Sequence, residues 1–167
     1  MSDATLASTR ATSTPVRLFL QARAWLDAVP YSVLALPLRF GVAWIFWNAA
    51  QVKLINWERT IQFFTDEYQV PILPPEIAAM MALAIEIACP ILLVLGLFTR
   101  FAVIVLMAMT AVIQIFVYPE AWPTHLQWTA MMLVLLCRGA GVVSVDHLLW
   151  RWMRPKLDAS AHSERRT

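Results

Sequence analysis

Residues 77–98, IAAMMALAIEIACPILLVLGLF, and residues 101–118, FAVIVLMAMTAVIQIFVY, are two apolar runs separated only by Thr99-Arg100. A helix crosses the hydrocarbon core of a bilayer in roughly 17–25 residues, and each run is long enough. Neither run alternates polar with apolar residues, so a transmembrane β-barrel is excluded. The turn Gly96-Leu97-Phe98-Thr99-Arg100 is short enough to make the two helices antiparallel neighbours.

Working outward, residues 33–50 form a third run. Residues 122–137 form a fourth and weaker one, interrupted by Pro123, His125 and Gln127, which needs residues 138–143 to complete a span. The expected fold is therefore all-α: an integral membrane antiparallel four-helix bundle with short interfacial amphipathic helices. Composition agrees. The chain is 60% hydrophobic and 14% charged, against about 25% charged residues in soluble domains. Eight Trp suit anchoring at membrane interfaces. The basic residues form no nucleic-acid stripe, and no nucleic-acid partner is expected.

Residues 1–15 and 158–167 read as disordered, and 16–30 as an interfacial helix ending at Pro30. Residues 31–153 read as the four-helix transmembrane domain and 154–167 as a cytoplasmic tail. No cleavable signal peptide is evident. Between the first two spans, Asn56 can cap a short helix with Ile61, Phe64 and Tyr68 on one face, and Pro71 to Pro75 turns the chain back. Ser144 can cap a basic helix ending near Pro155. Arg10, Arg17, Arg23, Arg100, Arg138, Arg151, Arg154, Lys156, Arg165 and Arg166 fall on one side of the membrane, against Lys53 and Arg59 on the other. Lys and Arg concentrate on the cytoplasmic side, so both termini are expected there, in a multi-pass protein of the bacterial inner membrane.

Polar groups inside the spans each require an explanation. Glu86 lies midway along the second span. An acidic residue at a helix centre costs about 2.5–3.5 kcal/mol to insert, so it is expected to face the bundle interior. With a rise of about 1.5 Å per residue, Asn48, Gln114, Gln127, Thr110 and Thr129 fall near its level, and His125 slightly further out. Gly41, Trp44, Asn48 and Gln51 can share one face of the first span. Two readings stand: a polar, proton-accessible pocket, or amides that hydrogen-bond across the bundle as glue. Arg39 either snorkels to the headgroups or reaches toward Glu86. Lys53 ends the first span and can snorkel. His125 can bind a quinone carbonyl or a metal, though a lone interfacial His usually does neither.

Ala78, Ala82, Ala84 and Ala88 can form a close-packing face, and Pro90 frees the carbonyl of Glu86. Cys89 and Cys137 read as small buried hydrophobes. The methionines read as packing rather than Cu(I) ligands, and no metal site is expected. There is no paired-His haem motif on one helix, no Cys-x-x-Cys, no phosphate loop and no Ser-His-Asp signal, so no covalently bound cofactor is expected.

The ordered set of Arg39, Ala50 to Lys53, Pro71 and Pro74, Glu86, Leu-Gly-Leu-x-Thr-Arg at 95–100 and Gly-x-Gly-x-x-Ser-x-Asp at 139–146 resembles the DoxX family of small four-helix bacterial membrane proteins, over about residues 36–149. Ala50 stands where the family often has Gly, and residues 119–128 are similar to a subset of the family. The family includes relatives of the membrane subunit of thiosulfate:quinone oxidoreductase and others linked to sulfur, oxidative or metal stress. The resemblance implies a small membrane subunit or partner of a quinone-linked redox or stress-response system. Glu86 would exchange a proton there, with Arg39 as a second catalytic candidate. Asn48, Gln114, Gln127, His125 and Lys53 are the candidate ligand-binding residues. Quinone is the candidate cofactor. The expected partners are the lipid bilayer and a redox protein or a second copy of the chain. The alternatives are a non-enzymatic anchor or assembly factor, and a small transporter or metal-handling protein.

Overall fold

The computed structural model of the chain describes residues 14–68 and 73–164. Residues 1–13 of the expected 1–15 tail, the turn at Pro71 and residues 165–167 lie outside the described residues, while residues 14–15 and 158–164, expected to be disordered, are helical. The chain divides at Pro30 into two units.

In the first unit, helix α1 (Thr14–Asp27) has no buried residue and carries an i,i+4 ion pair, Arg23 Nε to Asp27 Oδ2 at 3.6 Å. Its Leu18, Phe19, Trp25 and Leu26 are exposed, as in a helix that must find its apolar cover elsewhere.

The second unit opens with α2 (Tyr31–Ile55). A short helix, α3 (Trp57–Phe63), continues as a π-helical turn over Phe64–Tyr68. Then come α4 (Pro75–Leu95) and α5 (Thr99–Val112), the latter running on as a π-helical turn over Ile113–Val117. A 3₁₀ turn (Pro119–Ala121) leads into α6 (Trp122–Arg138), and α7 (Val145–Glu164) follows. No strand occurs among the described residues.

Helix α2 packs on α4 and α6, and α5 packs on the same two. The four close into a ring in which each helix is antiparallel to both neighbours. Tyr31–Ile55, Pro75–Leu95 and Thr99–Val117 are long and apolar enough to cross a membrane. The surface between the ends is apolar: Phe40, Trp44, Ile91, Val94, Ile104, Leu126 and Leu133 are all exposed. A soluble protein rarely shows so continuous an apolar face, whereas lipid covers it at no cost. The molecule is an all-α integral membrane bundle.

Helix α6 has 17 residues, about 25 Å of helix. Residues 139–143, expected to complete it, do not: Gly139 at φ 77° and Gly141 at φ 81° break the helix. Helix α7 runs past Pro155, where it was expected to stop. Proline there removes only the bond to the Arg151 carbonyl, and the helix formers that follow resume the ladder. Its start is as expected. Ser144 Oγ accepts from the His147 N–H at 3.2 Å and donates to the Gly141 carbonyl at 2.6 Å.

The inward stripe of α4 is Ala78, Ala79, Ala82, Glu86, Cys89, Pro90 and Leu93. Ala84 and Ala88 are exposed, which corrects the expected four-alanine face. Steps of four carry the stripe through Ala78, Ala82 and Glu86; a shift of two residues turns the side chain by about 200°. Cys137, expected to be buried, is exposed at the end of α6, while Cys89 is buried.

The turn between α4 and α5 is a Schellman closure. Leu97 N–H bonds to the Leu92 carbonyl at 2.9 Å and Gly96 N–H to that of Leu93 at 3.1 Å, with Gly96 left-handed at φ 66°. Phe98 is also left-handed, at φ 48°, a conformation costly for a residue with a side chain. Asp146 holds it there. Its Oδ1 accepts from the Phe98 N–H at 2.8 Å and its Oδ2 from the Thr99 N–H at 3.1 Å, capping α5 from outside the helix.

Candidate functional site

The buried face of α2 runs Ala35, Arg39, Val42, Ala43, Phe46 and Ala50, and Lys53 continues it. A cation thus stands toward each end of one helical stripe, and both meet α4.

Arg39 is 2% exposed. Its Nε donates to the Leu93 carbonyl at 2.7 Å and Nη2 to that of Val94 at 2.6 Å. Its Nη1 donates to the carbonyls of Val143 at 2.6 Å and Ala140 at 3.2 Å. These carbonyls lie at the end of α4 and in the α6–α7 connection, where acceptor capacity is left over; that of Leu93 also takes the Gly96 N–H. Arg39 neither snorkels nor reaches Glu86. The guanidinium fork matches four acceptors on two elements, and it joins three parts of the fold at one point. Tyr31 and Ser32 reinforce this junction. The Tyr31 hydroxyl donates to the Gly139 carbonyl at 2.7 Å, and the Val142 N–H donates to Ser32 Oγ at 3.0 Å.

Lys53, expected to snorkel, instead turns inward and makes the contact with Glu86 that was one of the two readings for Arg39. Its Nζ lies 2.7 Å from Glu86 Oε1, with side chains 13% and 2% exposed. A helical side chain leans toward its own N-terminus, which carries the ammonium from the end of α2 back down to Glu86. Among the described residues, the ammonium makes no other hydrogen bond and Glu86 Oε2 has no partner. A buried carboxylate with one oxygen unmatched is electrostatically incomplete.

Above the pair lies an open cavity of about 490 Å³. Lys53 lines it together with Asn56, Arg59, Thr60, Phe63, Phe64, Tyr68 and Tyr118. Helix α3 builds this wall. Asn56 Oδ1 caps it by accepting from the Arg59 N–H at 2.9 Å, and Thr60 Oγ1 donates to the carbonyls of Asn56 at 3.0 Å and Lys53 at 3.2 Å. Phe64 packs on Ala78 and Ala79 of α4 and stacks on Tyr68, centroids 4.4 Å apart. Burial, then the charges of Tyr118, Glu86 and Glu67, push the Tyr68 phenol up to about 12. Tyr118 is also raised, by burial and by Glu67, to whose Oε2 its hydroxyl donates at 3.5 Å.

Gln114 and His125 meet each other. Gln114 Nε2 donates to the Pro119 carbonyl at 2.7 Å, and Gln114 Oε1 lies 2.6 Å from His125 Nδ1. A carbonyl only accepts, so the amide orientation is fixed and His125 carries its proton on Nδ1. The ring packs edge-on against Trp128, centroids 5.2 Å apart. Thr110 is buried and donates back to the Leu106 carbonyl at 2.8 Å.

Asn48 and Gln127 are exposed, as is Trp44 of the face expected with Asn48. The layer of amides around Glu86 therefore does not form as expected. Rise along an axis fixes level but not azimuth: Asn48 stands two residues from inward Phe46, and Gln127 two from buried His125, each turned by about 200°. Thr60, Tyr68 and Tyr118 also line the site, and no motif in the sequence marks them. The signal available was the apolar face of α3, which had to cover something next to the end of α2.

A polytopic helical membrane protein with a buried ion pair under an amphipathic cavity is thus the class that fold and site define. The DoxX family model matches residues 34–119, just over half of the chain, and the chain belongs to the DoxX family. A protein of Haemophilus influenzae, described as uncharacterized, is 27% identical over 136 residues, covering 74% of this chain and 88% of that protein. No solved structure matches significantly.

Proposed function

We propose that this DoxX protein is a small inner-membrane partner of a quinone-linked redox or stress-response system, and that the cavity at the Lys53 end receives the quinone ring. The observation that supports this reading is the double position of Lys53, which lines the cavity and pairs with buried Glu86. A quinone carbonyl oxygen accepts hydrogen bonds and gains negative charge on reduction, which an ammonium donor at the cavity floor would favour. Phe63, Phe64 and Tyr68 offer ring faces. Reduction to the quinol takes two electrons and two protons. The electrons would come from a partner redox protein, and Glu86, through Lys53, would hold a proton in transit. By the excess of Lys and Arg at the opposite end, the cavity would open on the outer side of the membrane.

The test is binding followed by turnover. A short-chain ubiquinone analogue is titrated against the detergent-purified chain, and quinone reduction is measured in native membranes. Glu86→Gln and Lys53→Met are expected to weaken binding at least fivefold and to slow reduction. Equal affinity and equal rates in folded wild type and both variants would remove the pair from this role.

One observation favours the anchor reading. Leu148, Trp150, Trp152 and Met153 of α7 are exposed, beside Arg151 and Arg154. The apolar face of α3 offers less to a partner, since Phe64 is buried in the chain's own bundle. A partner captured through α7, with quinone reduction unaffected by Glu86→Gln, is the outcome this reading expects.

A further inference from the structure

A second cavity, of about 730 Å³, opens at the Arg39 end between the starts of α2 and α5, the end of α6 and the first turns of α7. Two guanidinium groups line it. Arg100 reaches from α5 to α6, its Nη2 donating to the Cys137 carbonyl at 3.3 Å. Arg138 lies with its guanidinium carbon 5.7 Å from the centroid of the Tyr31 ring. Neither has an ion-pair partner among the described residues. The one carboxylate in the wall, Asp146, already accepts from two backbone N–H groups. The cavity is therefore net cationic, two guanidinium groups against one carboxylate whose oxygens are already engaged by the backbone.

Its rim is apolar. Phe98 is 64% exposed, Phe101 63% and Trp150 54%. Its depth follows from the spans, since α5 begins at Thr99 and α6 ends at Arg138. Both residues sit where a transmembrane helix leaves hydrocarbon for the headgroup layer. Two guanidinium groups at headgroup level that make no ion pair, with aromatic side chains on the hydrocarbon side, match a phosphodiester carrying acyl chains. A zwitterionic lipid would bring its own cation against the same pair, which disfavours it.

We propose that this cavity is a binding site for one anionic phospholipid, its phosphate held between Arg100 and Arg138 and its chains lying along Phe98 and Phe101. This site stands independently of the Lys53 cavity.

Native mass spectrometry of the full chain in detergent tests it, by titration with phosphatidylglycerol and with phosphatidylcholine of the same acyl chains. Wild type is expected to bind phosphatidylglycerol at least tenfold more tightly. Arg100→Gln with Arg138→Gln abolishes that preference, whereas Arg17→Gln with Arg154→Gln, a matched loss of two charges outside the cavity, leaves it intact. Arg100→Lys with Arg138→Lys keeps part of it. A second measurement needs no variant: in bilayers at equal mole fraction, headgroup-proximal brominated phosphatidylglycerol quenches Trp fluorescence more than brominated phosphatidylcholine does. Equal binding and equal quenching by the two lipids would overturn the proposal. So would a folded glutamine double variant that keeps the full preference, or displacement of the lipid by inorganic phosphate alone.

Discussion

Arg39 occupies the space that a side chain at Gly96 would need: a Cβ there would lie 2.8 Å from Nη2 and 2.9 Å from the guanidinium carbon. Ser144 Cβ would be 2.6 Å away on the other side. The Schellman turn, the arginine clamp and the start of α7 therefore depend on one another.

Gly96→Ala meets two penalties at once. The left-handed backbone costs an L-residue about 1–2 kcal/mol, and the clash displaces Arg39 from its carbonyls. The expected loss exceeds about 2 kcal/mol, read as a lower midpoint in denaturant titration of the detergent-solubilised protein. An unchanged midpoint would show that the turn tolerates a methyl group, and that the contact with Arg39 is slack.

Arg39→Gln takes a donor from the carbonyls of Val94, Ala140 and Val143 and leaves that of Leu93 only the Gly96 N–H, at about 1–3 kcal/mol for each acceptor left buried and unsatisfied. Arg39→Lys keeps the charge but cannot span Leu93 and Val143 with one ammonium. The expected order of stability is wild type, then Lys, then Gln. A lysine variant as stable as wild type would mean that charge rather than fork geometry matters. Quinone binding at the other end is the control.

The Lys53–Glu86 pair is best read through a cycle of variants. Removing one partner strands a buried charge, and Lys53→Met or Glu86→Leu alone is expected to destabilise by about 3–5 kcal/mol. The double variant should recover most of that loss, because an apolar pair of similar volume suits the interior. Additive losses would show that the two side chains do not interact.

Tyr68 sets a pH dependence. Its folded-state pKa, pushed up to about 12, exceeds the unfolded value of about 10. The neutral phenol is thus favoured by folding. Its contribution to stability is full below pH 10 and is lost as pH rises from 10 through 12. Absorbance at 295 nm should show a tyrosine titrating near pH 12 that Tyr68→Phe removes. If Tyr68→Phe instead removes a component near pH 10, the phenol is in open water and the cavity wall is not as described.

The helices were legible because lipid imposes a coarse rule. The runs around residues 77–98 and 101–118 had to span, and the turn at Gly96 had to reverse the chain. The cap by Asn56, the start of α7 at Ser144 and the inward face of Glu86 followed from local chemistry. The polar layer did not, because helical rise fixes depth and leaves azimuth to packing. Asn48 and Gln127 stand at the right level on the wrong side of their helices, while Gln114 and His125 found each other.

Residue chemistry alone determined that this chain lives in a membrane, with four antiparallel helices and one carboxylate that could not face hydrocarbon. Only the tertiary structure decided which cation meets that carboxylate. Arg39 and Lys53 share one stripe of α2, and local sequence does not distinguish them as partners for Glu86. The end of α4 offers carbonyls with acceptor capacity to spare to a forked donor, so Arg39 is held there, and the ammonium at the other end is left to reach the acid.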